Sequence, residues 1–204
     1  MFGLLRTRRT KDASDLADEG LITPEEARQR LDGYELDAIE VVALKPSPGQ
    51  HPLAIATPAS SGVAIGAAVF DPARALELAR SGKPVILMRE TAETGDVRAI
   101  AEAEGLVTRE GARTSHAAVV ARQLGKVCVV GCTGLEIDPA ARTARLGASQ
   151  IAEGEIVSVD GARGEIFRGA VDVIREHPTE LIDKMRAPRG TARHRRSPRA
   201  STKV

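Results

Sequence analysis

Thr114-Ser115-His116 stands between a glycine-containing loop, Glu110-Gly111-Ala112-Arg113, and an apolar run, Ala117-Ala118-Val119-Val120-Ala121, that ends in Arg122. Threonine and serine are both competent helix caps, so the pattern predicts a helix over Ser115 to Leu124 with His116 in its first turn. There the unpaired backbone N–H groups and the positive end of the helix dipole face the imidazole. An imidazole nitrogen there can act as a nucleophile, and the same N–H donors stabilise a phosphoryl group placed on it. The hydroxyls of Thr114 and Ser115, with Arg109, Arg113 and Arg122 nearby in sequence, offer charge-assisted contacts to phosphoryl oxygens. The triplet alone also fits a structural or surface histidine, and the residues by themselves leave both readings open.

No other histidine has partners of this kind: His51 lies in a proline-rich segment, His177 near the end of the apolar pattern, and His194 in a basic tail. Cys128 and Cys132 have no second pair to complete a zinc site, and two cysteines make no disulfide framework. Their Val-Val-Gly surroundings predict buried core thiols.

The elements around the triplet read as one α/β unit. Leu53 to Ala56 and Val63 to Phe70 predict strands with the turn Pro58 to Gly62 between them. Asp71 predicts the cap of a helix reaching Ala79, closed by Gly82 and Pro84. Pro84 to Met88 is a continuous apolar run of the kind covered on both faces. Thr94 to Glu104 predicts a helix, Gly105 to Thr108 and Val127 to Val130 predict strands, and Arg142 to Phe167 alternates as β-structure with turns at Glu153-Gly154 and Asp160-Gly161. Upstream, Thr23-Pro24-Glu25-Glu26 carries a capping box, predicting a short helix to about Asp32 that Gly33 ends. Tyr34 to Val42 extends it as a second short helix. Lys45 to Pro52 (KPSPGQHP) is a linker by composition.

The chain has 204 residues with 29 basic and 28 acidic side chains, a formal net charge of +1. That balance conceals a segregation. Residues 12–183 hold all 28 acidic residues against 17 basic ones, a net −11, while residues 1–11 and 184–204 together carry +12. The tail has little to bury and reads as disordered, either solvated or acting as an electrostatic tether to an acidic partner, nucleic acid or anionic lipid. A 42% hydrophobic content excludes a wholly disordered chain, and 28% charged residues with no long apolar run exclude a membrane-spanning helix. Aromatic content of 2% argues against stacking platforms for single-stranded nucleic acid. The arginines of MFGLLRTRRTKD interrupt any signal-peptide core. A cytoplasmic location is expected.

Thr114 to Arg122, followed by Leu124-Gly125-Lys126 and Cys128-Val129-Val130-Gly131-Cys132, resembles the signature of the swivelling phosphohistidine domain of phosphoenolpyruvate-utilising enzymes, most closely the central domain of the pyruvate, phosphate dikinases. Pro58 to Gly66 is similar to that domain's entry, Ala152 to Ile166 to its exit, and Glu19 to Ala27 to the helical leader before it, so the resemblance covers about residues 15 to 172. It implies a compact β/β/α swivelling domain with a short helical N-terminal leader. The implied organisation is a basic disordered start (1–13), a leader and linker (14–50), the phosphohistidine domain (51–176) and a basic, largely disordered tail (177–204). It further implies that His116 accepts a phosphoryl group and that Thr114 is a candidate regulatory phosphosite, whereas the capping and phosphoryl contacts of Thr114 and Ser115, and Arg122 as a phosphoryl contact, rest on residue chemistry. A phosphate on Thr114 would repel the donor phosphoryl group.

Four positions depart from the family pattern: Glu110, Ala112 and Arg113 stand where Arg-Gly-Gly-Met is usual before Thr-Ser-His, and Val127 replaces a frequent proline. No ATP-grasp or phosphoenolpyruvate-binding barrel pattern is seen in these residues. The implied function is therefore a stand-alone phosphohistidine carrier, with nucleotide-binding and phosphoenolpyruvate-binding chains as partners, no cofactor bound by this chain alone, and Mg²⁺ expected in the partner active sites. The alternatives are a subunit of a split dikinase, with phosphoenolpyruvate, pyruvate and ATP as ultimate substrates, and a non-catalytic interaction module that keeps the fold.

Overall fold

The computed structural model describes residues 41–176 together with Thr23 and Glu26. The chain divides into two units, Met1–Ile39 with Pro178–Val204, and Glu40–His177. Of the leader, the described residues hold the predicted capping box: Glu26 N–H donates to Thr23 Oγ1 (3.2 Å), and Thr23 N–H donates back to Glu26 Oε2 (2.7 Å). The basic start of the chain, the end of the leader helix at Gly33, its extension over residues 34–40, His177, His194 and the basic tail lie outside the described residues.

Unit Glu40–His177 is built in three layers. The middle layer is an eight-stranded sheet containing β2 (Ala54–Ile55), β3 (Thr57–Ser60), β4 (Val63–Val69), β5 (Val85–Arg89), β6 (Gly105–Thr108), β7 (Val127–Val130), β11 (Ile156–Asp160) and β12 (Glu165–Arg168), in the order β2-β12-β11-β4-β5-β6-β7-β3. Strands β4 to β7 are parallel, and antiparallel strands close both sides. The helices α1 (Pro72–Arg80), α2 (Val97–Glu102) and α3 (His116–Gln123) connect the parallel strands. All three lie on one face, because Ala75, Ala99, Ile100, Ala117, Ala118 and Ala121 share a core with Val85, Leu87, Leu106 and Cys128. The opposite face carries the meander β8 (Leu135–Asp138), β9 (Thr143–Leu146) and β10 (Ser149–Ala152), whose Leu135, Leu146 and Ile151 pack on Ile86, Met88, Val107 and Val129. The apolar run of β5 thus splits alternately between two cores, as a strand covered on both faces must. The result is the expected β/β/α arrangement.

A two-stranded ribbon pairs β1 (Val41–Lys45) with β13 (Asp172–Glu176) where the chain enters and leaves the unit. Two buried polar side chains secure it. Asp160 accepts the backbone N–H groups of Leu44 (3.2 Å), Ala162 (2.9 Å) and Arg163 (2.9 Å), and Arg163 Nη1 in turn donates to the Leu44 carbonyl (3.0 Å). Ser158 Oγ donates to the Gly169 carbonyl (2.7 Å) and accepts from Val171 N–H (3.0 Å). Each satisfies backbone groups that would otherwise be buried without partners.

The structure corrects two expectations and adds one strand. Val41 and Val42 belong to a strand and not to a second leader helix, because β13 supplies a ladder that local sequence cannot reveal; the unit accordingly takes in residues before the proline-rich segment. Thr57–Ser60 is a strand and not part of a turn. Pro58 is tolerated there because β3 is an edge, where a missing N–H leaves no central ladder bond unmade. Strand β8, Leu-Glu-Ile-Asp, alternates inward and outward side chains, and at four residues it lies outside the segments expected to be β-structure. Among the described residues no helix is long and apolar enough to cross a membrane.

Candidate functional site

The site is assembled where the parallel strands end at their carboxyl sides, the edge at which open α/β sheets place their functional loops. Parallel pairing continues past the strands, with Arg109 N–H donating to the Arg89 carbonyl and Glu110 N–H to the Glu90 carbonyl, both at 2.9 Å. Thr108, fully buried, donates from Oγ1 to the Glu110 carbonyl (2.6 Å), and its own carbonyl accepts from Cys132 N–H (2.9 Å). The exits of β5, β6 and β7 are thereby joined. The chain then turns at Gly111, whose φ of +116° is one that a side chain resists, and whose absent Cβ would lie 3.0 Å from Ser115 Oγ. Gly131 presses against this turn from the β7 side: a Cβ there would meet the Gly111 carbonyl oxygen at 3.2 Å. A bond from Ser115 N–H to the Ala112 carbonyl (2.9 Å) completes the loop.

Ser115 is the N-cap of α3, its hydroxyl accepting from Ala118 N–H at 3.4 Å, and His116 is the first helical residue. Ala117, Ala118 and Ala121 bury the inner side of the helix against β6 and β7, small side chains that let it lie close. His116 itself is exposed, as is Thr114. Val119 and Gln123 are exposed too, at three and seven residues from His116, and so extend one outward face of the helix. The loop, cap and helix therefore present an imidazole to solvent from a backbone fixed at both ends.

Arg122 reaches back from the last turn of α3. Its Nη2 donates to the Arg113 carbonyl (2.7 Å) and its Nη1 to the Ala59 carbonyl in β3 (3.0 Å). Glu110 turns to the other side of the loop, where its carboxylate accepts from Thr91 Oγ1 (3.1 Å), while Arg109 pairs with Glu90 (3.4 Å). Ala112 is exposed and has no positive φ, so its methyl group sits in the loop without backbone strain. The sequence offered no signal for the Arg122 bridges or for the Thr108 bond; the placement of Gly131 against the turn was visible only as a glycine ending an apolar strand.

Both cysteines are buried and free. Burial pushes the Cys128 thiol up to about 12, offset in part by the Arg122 charge, and burial likewise raises that of Cys132. Neither is a thiolate nucleophile. Among the described residues no group of three or more His, Cys, Asp or Glu side chains is placed to hold a metal ion. A groove of about 760 Å³ adjoins the loop through Glu90 and Thr91, but its cations are already matched: Arg74 and Arg142 both pair with Glu153, and Arg89 pairs with Asp96.

Residues 82–164 match the family model of the PEP-utilising enzyme, mobile domain. The chain is 39% identical over 165 residues to pyruvate, phosphate dikinase of Entamoeba histolytica, covering 81% of this chain and 18% of that protein. It is also 39% identical over 168 residues to the enzyme of Giardia intestinalis (82% and 19%) and over 162 residues to that of Clostridium symbiosum (78% and 18%). The chain thus spans less than a fifth of the length of these relatives. From the end of α1, across the parallel strands and the His116 loop, to the turn between β11 and β12, this chain belongs to the mobile-domain family of PEP-utilising enzymes.

Proposed function

We propose that the chain is a phosphohistidine carrier. One nitrogen of the neutral His116 ring attacks the phosphorus of a donor, an N–P bond forms as the donor's P–O bond breaks, and a ring proton leaves to solvent or to the donor site. An acceptor oxygen, bound by a partner protein, later attacks the same phosphorus and regenerates the ring. The observation that supports this is the presentation of His116: exposed, first in a helix capped by Ser115, on a loop bonded to two neighbouring strand exits. Free N–H groups at that helix end suit a phosphoryl oxyanion, and the Thr114 and Ser115 hydroxyls are its nearest neighbours in sequence. The nucleotide and phosphoenolpyruvate sites belong in this reading to partner chains, where Mg²⁺ supplies charge neutralisation.

A second reading, that the chain is one subunit of a split dikinase, draws support from relatives that are all named pyruvate, phosphate dikinase. Both readings predict the same first event. The full chain incubated with labelled phosphoenolpyruvate and a dikinase carboxy-terminal domain should acquire acid-labile, base-stable label that is absent from His116→Ala. Passage of that label into ATP when a dikinase nucleotide-binding domain, AMP and pyrophosphate are supplied, with phosphate released, would favour the split enzyme. No label on wild type with any donor domain would refute both, and leave a binding module. Thr114→Asp should lower labelling if Thr114 is a phosphorylation-controlled position.

A further inference from the structure

Arg122 is one of three arginines near the triplet, and its charge alone makes it a candidate phosphoryl contact. Its geometry carries a different inference. Strand β3 pairs Pro58 with Val129 and Ser60 with Cys128, two steps on β3 against one on β7, so Ala59 is the extra residue of a bulge. A bulge leaves the extra residue outside the ladder, and the buried Ala59 carbonyl is taken by Arg122 Nη1 at 3.0 Å. The second arm, Nη2, holds the Arg113 carbonyl at 2.7 Å. Arg113 lies between the strand-like pairing that ends at Glu110 and the bond that closes the loop at Ser115, the stretch that immediately precedes Thr114-Ser115-His116.

We propose that Arg122 is a positioning residue: its guanidinium fork clamps the middle of the phosphohistidine loop to the β3 bulge and so fixes where His116 meets a partner's phosphoryl group. This rests on the carrier reading for its consequence and on the geometry for its cause. The planar fork is needed because two carbonyls from segments 54 residues apart are held by two different nitrogens; a lysine ammonium, a single nitrogen on a flexible stem, keeps the charge but not the bridge. In-line transfer between two proteins is sensitive to misplacement of about 1 Å, which a loosened loop permits.

The test compares Arg122→Lys and Arg122→Gln with the wild-type full chain in three measurements: transfer from phosphoenolpyruvate through a dikinase carboxy-terminal domain, labelling by phosphoramidate, and amide hydrogen exchange. Positioning predicts that both variants lose about tenfold to a hundredfold in protein-mediated transfer. Phosphoramidate, a small donor that needs no docking, should label His116 in both within about twofold of wild type, since the intrinsic reactivity of the ring is untouched. Exchange in residues 111–118 should accelerate while the amides of Leu87 and Leu106 stay protected. Transfer retained in Arg122→Lys and lost in Arg122→Gln would overturn the proposal in favour of a phosphoryl contact, and unchanged exchange in 111–118 would overturn it outright. Accelerated exchange throughout the unit would also overturn it, by making Arg122 a support of the whole fold. Should wild type take label from neither donor, the carrier reading fails, and the exchange data still decide whether Arg122 clamps the loop.

Discussion

The turn at Gly111 and its neighbour Ala112 make a paired test of how the site is held. Gly111 has a φ of +116°, and a Cβ added to it would stand 3.0 Å from Ser115 Oγ and 3.3 Å from Ser115 Cβ. Forcing alanine into such a conformation costs about 1–3 kcal/mol. The added methyl group also pushes on the hydroxyl that caps α3, and loss of an N-cap bond costs a further ~1 kcal/mol. Gly111→Ala should therefore lower unfolding stability by about 2–4 kcal/mol, a large part of the ~5–15 kcal/mol typical of a domain. Ala112 has no positive φ and is exposed, so Ala112→Gly removes nothing from the folded state; it only loosens the unfolded chain, by about 0.4–1 kcal/mol. Urea denaturation read by linear extrapolation separates these values, and phosphohistidine labelling from phosphoenolpyruvate reports the site. Labelling should fall in Gly111→Ala and stay near wild type in Ala112→Gly. A Gly111→Ala protein within about 0.5 kcal/mol of wild type would refute the reasoning, since the turn would then be free to relax.

Asp160→Ala strands the Leu44, Ala162 and Arg163 N–H groups and should cost at least about 3 kcal/mol, with faster exchange of the Leu44 amide; a smaller loss in urea melts would show that water replaces the carboxylate. Cys128 makes stability fall at alkaline pH. Its thiol titrates near about 12 when folded, so between about pH 9 and 12 the folded chain keeps a proton that the unfolded chain has lost, and stability present below about pH 9 drains by ~1.4 kcal/mol per unit. Cys128→Ala should flatten that slope relative to wild type in paired urea melts, and equal slopes would contradict it. Glu110→Gln should change the labelling rate by no more than about twofold, with the difference vanishing in high salt, because an exposed charge is screened over ~8 Å at physiological ionic strength; a larger, salt-independent change would mean that the carboxylate acts directly at the histidine.

Much of this was legible from residue types and spacing. The Asp71 cap, the doubly covered run before Arg89, the Ser115 cap, the turn at Gly154 and the hairpin turn at Gly161 all follow from local rules, and each is where those rules put it. What escaped were features decided by partners distant in sequence. Val41–Lys45 is extended because Asp172–Glu176 pairs with it, and nothing within either segment says so. Thr57–Ser60 reads as a turn because proline and serine dominate it, whereas its place at a sheet edge permits both the proline and the bulge. At the site, sequence supplied the histidine and its caps but gave Arg122 only a charge. Its two carbonyl partners come from a strand and a loop that no local pattern joins.

The departures from the family pattern at positions 110 to 113 take on a definite meaning once the loop is seen. A glutamate beside a phosphohistidine looks self-defeating, yet the Glu110 carboxylate is turned to Thr91 on the side facing β5, and it is the Glu110 backbone, bonded to Thr108 and Glu90, that shapes the loop. Alanine at 112 would be damaging only if the loop needed a positive φ there; it needs one at 111, where glycine is kept. Arg113 contributes its carbonyl to the Arg122 clamp, a role that any residue can fill. Backbone conformation thus sets the requirement at 111, the Arg122 fork sets one at 113 through a main-chain atom, and at 110 the carboxylate is held by Thr91 on the far side of the loop backbone from which it departs.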